Sequence, residues 1–519
     1  MLRRLFWVVA GCVLVAAGLI AAATYFFSGV SLAADKTALA RVGLEPLAGS
    51  LESVRASAPD GTSIPLAVRG GVLTPTKRLA PGEQVTVAVL VRRPGWASWA
   101  LGSERRERLT IRTPVAHVEQ RWLTVERGHR PVVRFDIPVS TVSVGRSSSA
   151  VHSAAIPIPS TAVGGSTTVA AAPRPWEQLG ARVRVTWFPK TRRPAVLVSP
   201  TPLTRMNPLG PLRLTFSQPV ASLLHDRYPS FTPALPGRWV PEDDHTLVYR
   251  PSGYGARLNS EQTLRLPLAV TVVGGSPAAR SLSWRVAPAS FVRLQQLLAQ
   301  EGYLPLAWSP TGTDVSRTPR AELAAATAPP PGRFEWQYPN TPNELMSLWR
   351  TGEPNEITRG AVMTFEHDHG LAVDGIAGSQ VWRAAIEDAV RGRRKPGGYS
   401  YVFVHRNVPQ LMTLWHNGQV VLTSPGNTGV PAAPTQVGTW PVFEHIPVGR
   451  MSGTNPDGSH YDDPGIRWIS YFHGGEALHA FNRASFGTPQ SLGCVELPLA
   501  AAAQVWPYTP IGTLVTIED

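Results

Sequence analysis

The stretch TPQSLGCVELP, residues 488–498, holds Cys494, one of two cysteines in a chain of 519 residues. A cysteine that acts as a nucleophile needs a thiolate, a base to hold the proton, and donors for the oxyanion. Gly493 permits close approach of backbone and substrate, so the amides of Gly493 and Cys494 are the candidate oxyanion donors. Four histidines fall in the stretch of some fifty residues before the cysteine: His445, His460, His473 and His479. His473 falls in the turn FHGGE and is expected to face solvent, while His445 and His460 are expected in loops. His479 lies in EALHAF, where period-two alternation puts Ala477, His479 and Phe481 on one strand face. A strand fixes a side chain better than a turn does, which makes His479 the candidate base.

The compartment bears on what such a thiol is for. Arg3 and Arg4 precede 23 residues without a charge, Leu5 to Phe27, and a bilayer core needs about 20. A cleaved signal has a shorter apolar core of roughly 7–15 residues. The sequence therefore predicts an uncleaved single-pass anchor over residues 1–30, with cleavage near SLAAD as the other reading. The two arginines put the N-terminus in the cytoplasm and the bulk of the chain outside, in the cell-wall space. Cys12 reads as a small apolar residue of that span, so no intramolecular disulfide is expected beyond it. By count alone an unpaired exported thiol is an accident, an intermolecular bridge or a nucleophile. The net charge of +13 suits long-range attraction to wall polymers and lipid head groups in that compartment. No nucleic-acid partner is expected there, and a merely soluble basic surface is the bland alternative.

From 31 to 287 the chain is rich in Pro, Gly, Val and Thr. RVRVTWF (182–188) sets Val183, Val185 and Trp187 against Arg182, Arg184 and Thr186, the alternation of a strand with one buried face. Two or three β-sandwich modules are predicted, over 31–195 and 196–287, resembling in pattern the immunoglobulin-like domains of bacterial surface proteins. The low-complexity stretch 147–175 between them predicts a mobile loop or linker. After Pro288, Phe291, Leu294, Leu297 and Leu298 recur at helical spacing, with Ser290 placed to cap and Gly302 to stop. Ile357, Ala361 and Phe365 share one face of a later helix. His367 and His369 flank Asp368, but neighbours on a helix point apart, so they read as a solvated helix end and not as metal ligands. RGRRKPGGYS (391–400) reads as a basic hinge. Beyond it, to 519, the domain is mainly β, with HNGQ and HGGE as hairpin turns and LPLAAAAQVW as a short helix.

Two resemblances organise these readings. The region 288–392 resembles a peptidoglycan-binding domain of the three-helix type, on Phe365, Gly370, Leu371, Asp374, Gly375, Gly378 and Trp382. A long Pro-rich insert between its halves departs from that family. LHAFNRASFGTPQSLGCVEL resembles the L,D-transpeptidase catalytic domain of the YkuD type, whose pattern is a strand His, a Gly, then Ser-x-Gly-Cys. Those positions are His479, Gly487, Ser491, Gly493 and Cys494. The earlier stretch NTGVPAAPTQVGTWPV fits at Thr428, Gly429, Pro434, Thr435 and Gly438, and the resemblance covers 400–519. It implies a multidomain, mainly β protein with Cys494 as nucleophile, His479 as general acid/base, Gly493 as backbone oxyanion donor and Ser491 shaping the site. Glu496, Phe481 and Gly487 would face the substrate.

Three departures stand out: Leu492 where many members have His, Glu496 where Arg or Asn is frequent, and Ala480 where Gly or Ser follows the His. The last leaves only a main-chain carbonyl to orient the imidazole. The implied reaction opens a donor stem tetrapeptide of peptidoglycan at diaminopimelate, releases D-Ala and forms a thioester. A neighbouring diaminopimelate amine then gives a 3→3 cross-link, or water gives L,D-carboxypeptidase activity. No cofactor or metal is implied, and pairing with imidazole is expected to lower the thiol pKa. A catalytically inactive wall-binding scaffold is the competing reading. A sortase-like enzyme wants an Arg downstream of the Cys, and CVELPLAAAAQVW offers none.

Overall fold

The computed structural model describes residues 2–95, 98 and 102–519, without the side chains of 2–8, 19, 21, 23 and 24. Helix α1 runs Leu2–Phe27. Among the described residues no helix is long and apolar enough to cross a membrane. The chain divides into two compact units: Met1–Leu197 with Thr215–Pro219 and Ala269–Ala279, and Val198–Leu214 with Val220–Leu268 and Arg280–Asp519.

Beyond α1 the first unit is mainly β. Strand Gln84–Arg92 alternates strictly and buries Val85, Val87, Val89 and Val91 on one face, as half-buried strands must. These valines share a core with Val42, Leu73 and Trp176. The stretch 147–175 is not a linker. Ser147–Pro157 pairs antiparallel with Val132–Val144, and Gly165–Ala172 pairs with that same strand on its other edge. Low complexity hid the pattern: small Ser, Thr, Ala and Val side chains fill the strand positions, and Val169 to Ala172 are buried.

The second unit carries the site. Its β portion holds a hairpin, Gly237–Asp243 with Thr246–Pro251, and buries Trp284, whose indole donates to the Pro200 carbonyl at 3.0 Å. Then come α2 (Phe291–Gln300), α3 (Pro319–Thr327), α4 (Glu356–Asp368) and α5 (Ser379–Arg391). Leu294, Leu297 and Leu298 of α2 meet Ile357, Ala361 and Phe365 of α4 and Trp382 and Ile386 of α5 in one core. Gly302 ends α2 at φ +84, but Ser290 makes no side-chain cap. The Pro-rich insert is ordered: Leu306–Pro310 pairs with Gly332–Trp336, and α3, capped by Thr318, adds Leu323 and Ala326 to the core. The turn after α4 is held from inside, because the buried Glu366 carboxylate accepts from the amides of Asp374 and Gly375 at 3.0 and 2.8 Å. His369 is not solvated. Its ring stacks on Phe365 at 3.9 Å, Nδ1 faces the Phe365 carbonyl and Nε2 meets Asp388 Oδ2, both at 2.8 Å.

The last domain has nine strands: β1 (Ser400–His405), β2 (Leu411–His416), β3 (Gln419–Pro425), β4 (Gly438–Pro441), β5 (Glu444–Thr454), β6 (His460–His473), β7 (Glu476–Ala480), β8 (Val495–Leu497) and β9 (Leu514–Glu518). They form two sheets, β3-β2-β1-β9-β4 and β5-β6-β7-β8, with α6 (Leu499–Val505) following β8. Asn417 and Gly418, at φ +48 and +86, make the β2–β3 turn, the positive-φ pair that a two-residue hairpin favours. Val402, Val404, Met412 and Leu414 pack against Leu478, Ala480, Val495 and Leu497 between the sheets.

Segment 391–400 does not act as a free hinge. Arg393 bonds Asp388, and the Lys395 amide donates to the Glu301 carbonyl at 2.7 Å. Tyr401, Trp415 and Leu514 of the β domain belong to the same core as α2, α4 and α5, and the Trp415 indole donates to Asn340 across that seam. Gly512, at φ +89, lies against α4: a Cβ there would stand 2.1 Å from Thr364 Oγ1 and 2.4 Å from the Gly360 carbonyl. Gly512→Ala is therefore expected to destabilise the unit by about 1–3 kcal/mol. Thermal melting checks this, and a melting midpoint unchanged from the wild type would show that the seam contributes nothing.

Candidate active site

Strands β7 and β8 run parallel, with Leu478 opposite Val495, His479 opposite Glu496 and Ala480 opposite Leu497. Leu478, Ala480, Val495 and Leu497 fill the inter-sheet core. Alternation then sends His479 and Glu496 to the other face. Cys494, two residues before Glu496, belongs there too, partly buried against the cluster of Ile466 and Ile469 of β6 and Ala477 of β7. The fold thus brings Cys494 and His479 to one side of one sheet, on adjacent strands.

His479 is 3% exposed. Its Nδ1 lies 3.0 Å from the Ala480 carbonyl, so Nδ1 carries the proton and Nε2 is left with a lone pair. The main-chain carbonyl alone orients the ring, as the Ala480 departure requires. Burial pushes the imidazole below its ordinary range, opposed by the Ala480 carbonyl and the Glu496 charge. Cys494 is half-buried, with its sulfur still open to solvent; the protein packed around it nonetheless pushes the thiol up to about 12, Glu496 and Glu476 push the same way, and the Ala477 amide opposes. The thiol donates to the Gly475 carbonyl at 3.6 Å. Both shifts have one physical cause: desolvation disfavours each charged form. The lowered thiol pKa expected from imidazole pairing is not what this arrangement gives.

The turn before Cys494 is tightly engaged. Gly493 sits at φ +115; its amide donates to Ser491 Oγ at 3.2 Å, and that hydroxyl donates to the Cys494 carbonyl at 2.6 Å. Ser491 thus closes the turn on itself and occupies the Gly493 amide, which leaves the Cys494 amide as the donor it does not engage. The TG and PT residues of 427–442 are the scaffold of this turn. The amides of Gln490 and Ser491 donate to the Thr428 carbonyl, and the Gly429 amide donates to Thr435 Oγ1 at 2.8 Å. Gly487, at φ +98, donates to the Asn427 side chain at 3.0 Å. It shapes the loop; Asn427, fully buried, is a residue the sequence reading passed over.

The charge reversal at Glu496 is answered within the chain. Arg483 Nε and Nη2 reach the two Glu496 carboxylate oxygens at 2.8 and 2.6 Å, and its guanidinium lies 4.6 Å from the Phe481 ring centre. Glu496 is 4% exposed, so its carboxylate faces Arg483 and not a substrate. Phe481 stands between Arg483 and the His479 ring, the latter 5.9 Å away. An arginine four residues after the histidine was the available signal, and it was missed. The other histidines lie elsewhere. His445 is in β5, not a loop, stacked on Trp506 at 4.2 Å and pushed down to about 4 by burial. His460 opens β6 at the surface. His473 is partly exposed, 4.4 Å from the Trp440 ring and 3.4 Å from Glu476.

Residues 399–517 match the family model for the L,D-transpeptidase catalytic domain, and residues 348–385 match that for a peptidoglycan binding domain. The chain thus carries a YkuD-type L,D-transpeptidase catalytic domain with a peptidoglycan-binding domain upstream. Among solved structures, it is similar to the catalytic domain of an E. faecium L,D-transpeptidase, at 22% identity over 24% of this chain and 99% of that one, with a TM-score of 0.21. An L,D-transpeptidase from Mycobacterium smegmatis matches at 13% identity over 62% of this chain and 99% of its own, TM-score 0.21. L,D-transpeptidase 3 from Mycobacterium tuberculosis, bound to a faropenem-derived adduct, matches at 14% identity over 63% and 98%, TM-score 0.22. No curated protein matches the chain.

Removing one partner of a buried ion pair strands the other charge, at a cost of about 3–5 kcal/mol. Arg483→Met is expected to lower the denaturation midpoint sharply, and Arg483→Met with Glu496→Gln to recover most of the loss. A double variant no better than the single one would mean that the pair is not what holds Glu496 in place.

Proposed function

We propose that the protein is a membrane-anchored L,D-transpeptidase that forms 3→3 cross-links in peptidoglycan through a thioester on Cys494. The observation that carries the reading is the β7–β8 register, which gathers His479 and Cys494 on one face, with the imidazole held by the Ala480 carbonyl. In this arrangement thiol and imidazole are both favoured as neutral groups. The proton therefore moves from Sγ to His479 Nε2 as sulfur attacks the carbonyl of the donor diaminopimelate, with the Cys494 amide donating to the oxyanion. The C–N bond to D-Ala breaks, and the leaving amine takes the proton from His479. A diaminopimelate amine of a second stem then attacks the thioester carbon, the C–S bond breaks, and the amine's proton passes through His479 back to the Cys494 sulfur; water in that role would make the enzyme an L,D-carboxypeptidase. Ser491 and Gly493 keep the turn in shape, and no cofactor enters.

In this reading α1 crosses the cytoplasmic membrane with Arg3 and Arg4 inside and the two units in the cell-wall space. What supports it is the sequence alone: the uncharged run Leu5–Phe27 has about the 20 residues that a bilayer core needs. The peptidoglycan-binding region would hold the polymer near the thiol.

Intact-protein mass spectrometry after exposure to a carbapenem tests the nucleophile. One acyl adduct is expected on the wild type and none on Cys494→Ala, and an adduct surviving in that variant refutes the assignment. The pH dependence tests the protonation state. With the thiol raised, the thiolate fraction climbs about tenfold per pH unit, so alkylation of Cys494 should rise steadily from pH 6 to 9. A plateau reached below pH 7 would mean a preformed thiolate–imidazolium pair. His479→Ala should slow carbapenem acylation by about 100-fold or more, and His473→Ala far less; the reverse order would move the base to His473.

A further inference from the structure

Away from the cysteine, a cavity of about 660 Å³ opens between α2, α4, α5 and the segment that follows α5. That is a size at which proteins hold small ligands. Three carboxylates line it, Glu301, Asp368 and Asp388, and so do three cations, Arg393, Arg394 and Lys395. Asp388 is engaged by His369 and Arg393, Asp368 faces the His367 ring at 3.7 Å, and the Lys395 ammonium donates to the Gly398 carbonyl at 3.3 Å. Two groups are left over. Glu301 is 2% exposed, and neither of its carboxylate oxygens has a hydrogen-bond partner. The Arg394 guanidinium, exposed at the rim, enters no ion pair or hydrogen bond among the described residues. A buried carboxyl with both oxygens unpaired is costly unless something else supplies donors.

We propose that this cavity binds an α-amino acid zwitterion, its ammonium at Glu301 and its carboxylate at Arg394. A ligand with only positive charge would set itself against Arg393, Arg394 and Lys395. One with only negative charge would meet Glu301, Asp368 and Asp388. A ligand with both charges on one carbon satisfies the two unused groups together. Granting the transpeptidase reading, the matching chemistry in peptidoglycan is the free amino-carboxylate end of diaminopimelate in an uncross-linked stem. The peptidoglycan-binding region would then select stems that still carry an acceptor amine.

Glu301 also supplies a signature. Burial holds its carboxyl well above the usual range, with Asp388 and Glu322 adding to the effect and Arg293 opposing it; Arg293 is itself paired with Glu322 at 2.6 Å. An arriving ammonium favours the ionised form, so the carboxyl gives its proton to the buffer as the ion pair forms.

Titration calorimetry of the full-length protein at pH 7, in two buffers of different ionisation enthalpy, tests this with free meso-diaminopimelate, pimelate and cadaverine. Diaminopimelate should bind with release of up to about one proton, and the other two at least about 10-fold more weakly. Glu301→Gln should abolish proton release and weaken binding roughly 10- to 100-fold. Arg394→Ala, a rim change that leaves the fold alone, should weaken binding about fivefold and keep the proton release. Equal binding of pimelate, binding unchanged in both variants, or no binding of diaminopimelate at millimolar concentration would each overturn the proposal. Carbapenem acylation of Cys494, followed in the same samples, reads the transpeptidase site independently. Its loss with cavity binding intact would count against the enzymatic reading and not against the cavity.

Discussion

The parallel pairing of β7 with β8 is the constraint on which the site depends. Side chains alternate across a strand, so a slip of one residue would turn a whole strand over. With His479 opposite Glu496, the histidine, the glutamate and the cysteine face the hairpin, while Leu478, Ala480, Val495 and Leu497 enter the core. A slip of β8 would drive the Glu496 carboxylate into that apolar layer and bring Val495 out. The burial that fixes the register therefore also fixes which residues meet the thiol.

That pairing needs the turn before it. Gly493 takes a backbone angle that other residues rarely adopt, Ser491 bonds across the turn, and the Thr428 carbonyl clamps Gln490 and Ser491 from outside. Residues some sixty positions apart in sequence thus act as one part. Asn427 joins them to β8, exchanging backbone bonds with Glu496 while its side chain holds Gly487. The family-like motifs at 427–442 and 479–496 are two halves of one scaffold.

Much of this was legible in the sequence because it is local. Alternation marked His479 and Phe481 on one face, Asn417-Gly418 announced a hairpin, and the helix face of Ile357, Ala361 and Phe365 is buried as its spacing demands. What escaped was either long-range or masked by composition. Stretch 147–175 looked unstructured because its residues are small, yet strand pairing needs only backbone groups and a fitting surface. Segment 391–400 looked like a hinge because it holds Gly, Pro and charge. Its stiffness comes from partners at Glu301 and Asp388, which no local window displays. The Arg483–Glu496 pair is of the same kind. Two charges thirteen residues apart become one neutral unit only when the loop between them folds back.

The pair changes how the departure at position 496 acts on the chemistry. An unpaired carboxylate on the face shared by the thiol would oppose formation of a thiolate and stabilise an imidazolium. Bound to Arg483, much of that field is cancelled close by, and the guanidinium adds an opposing effect of its own on His479. Desolvation is then the dominant influence on both reacting groups, and it drives thiol and imidazole toward neutrality together. The neutral pair is therefore the resting form of the site. Ionisation is thereby deferred until a carbonyl and an oxyanion donor are present to receive the charge.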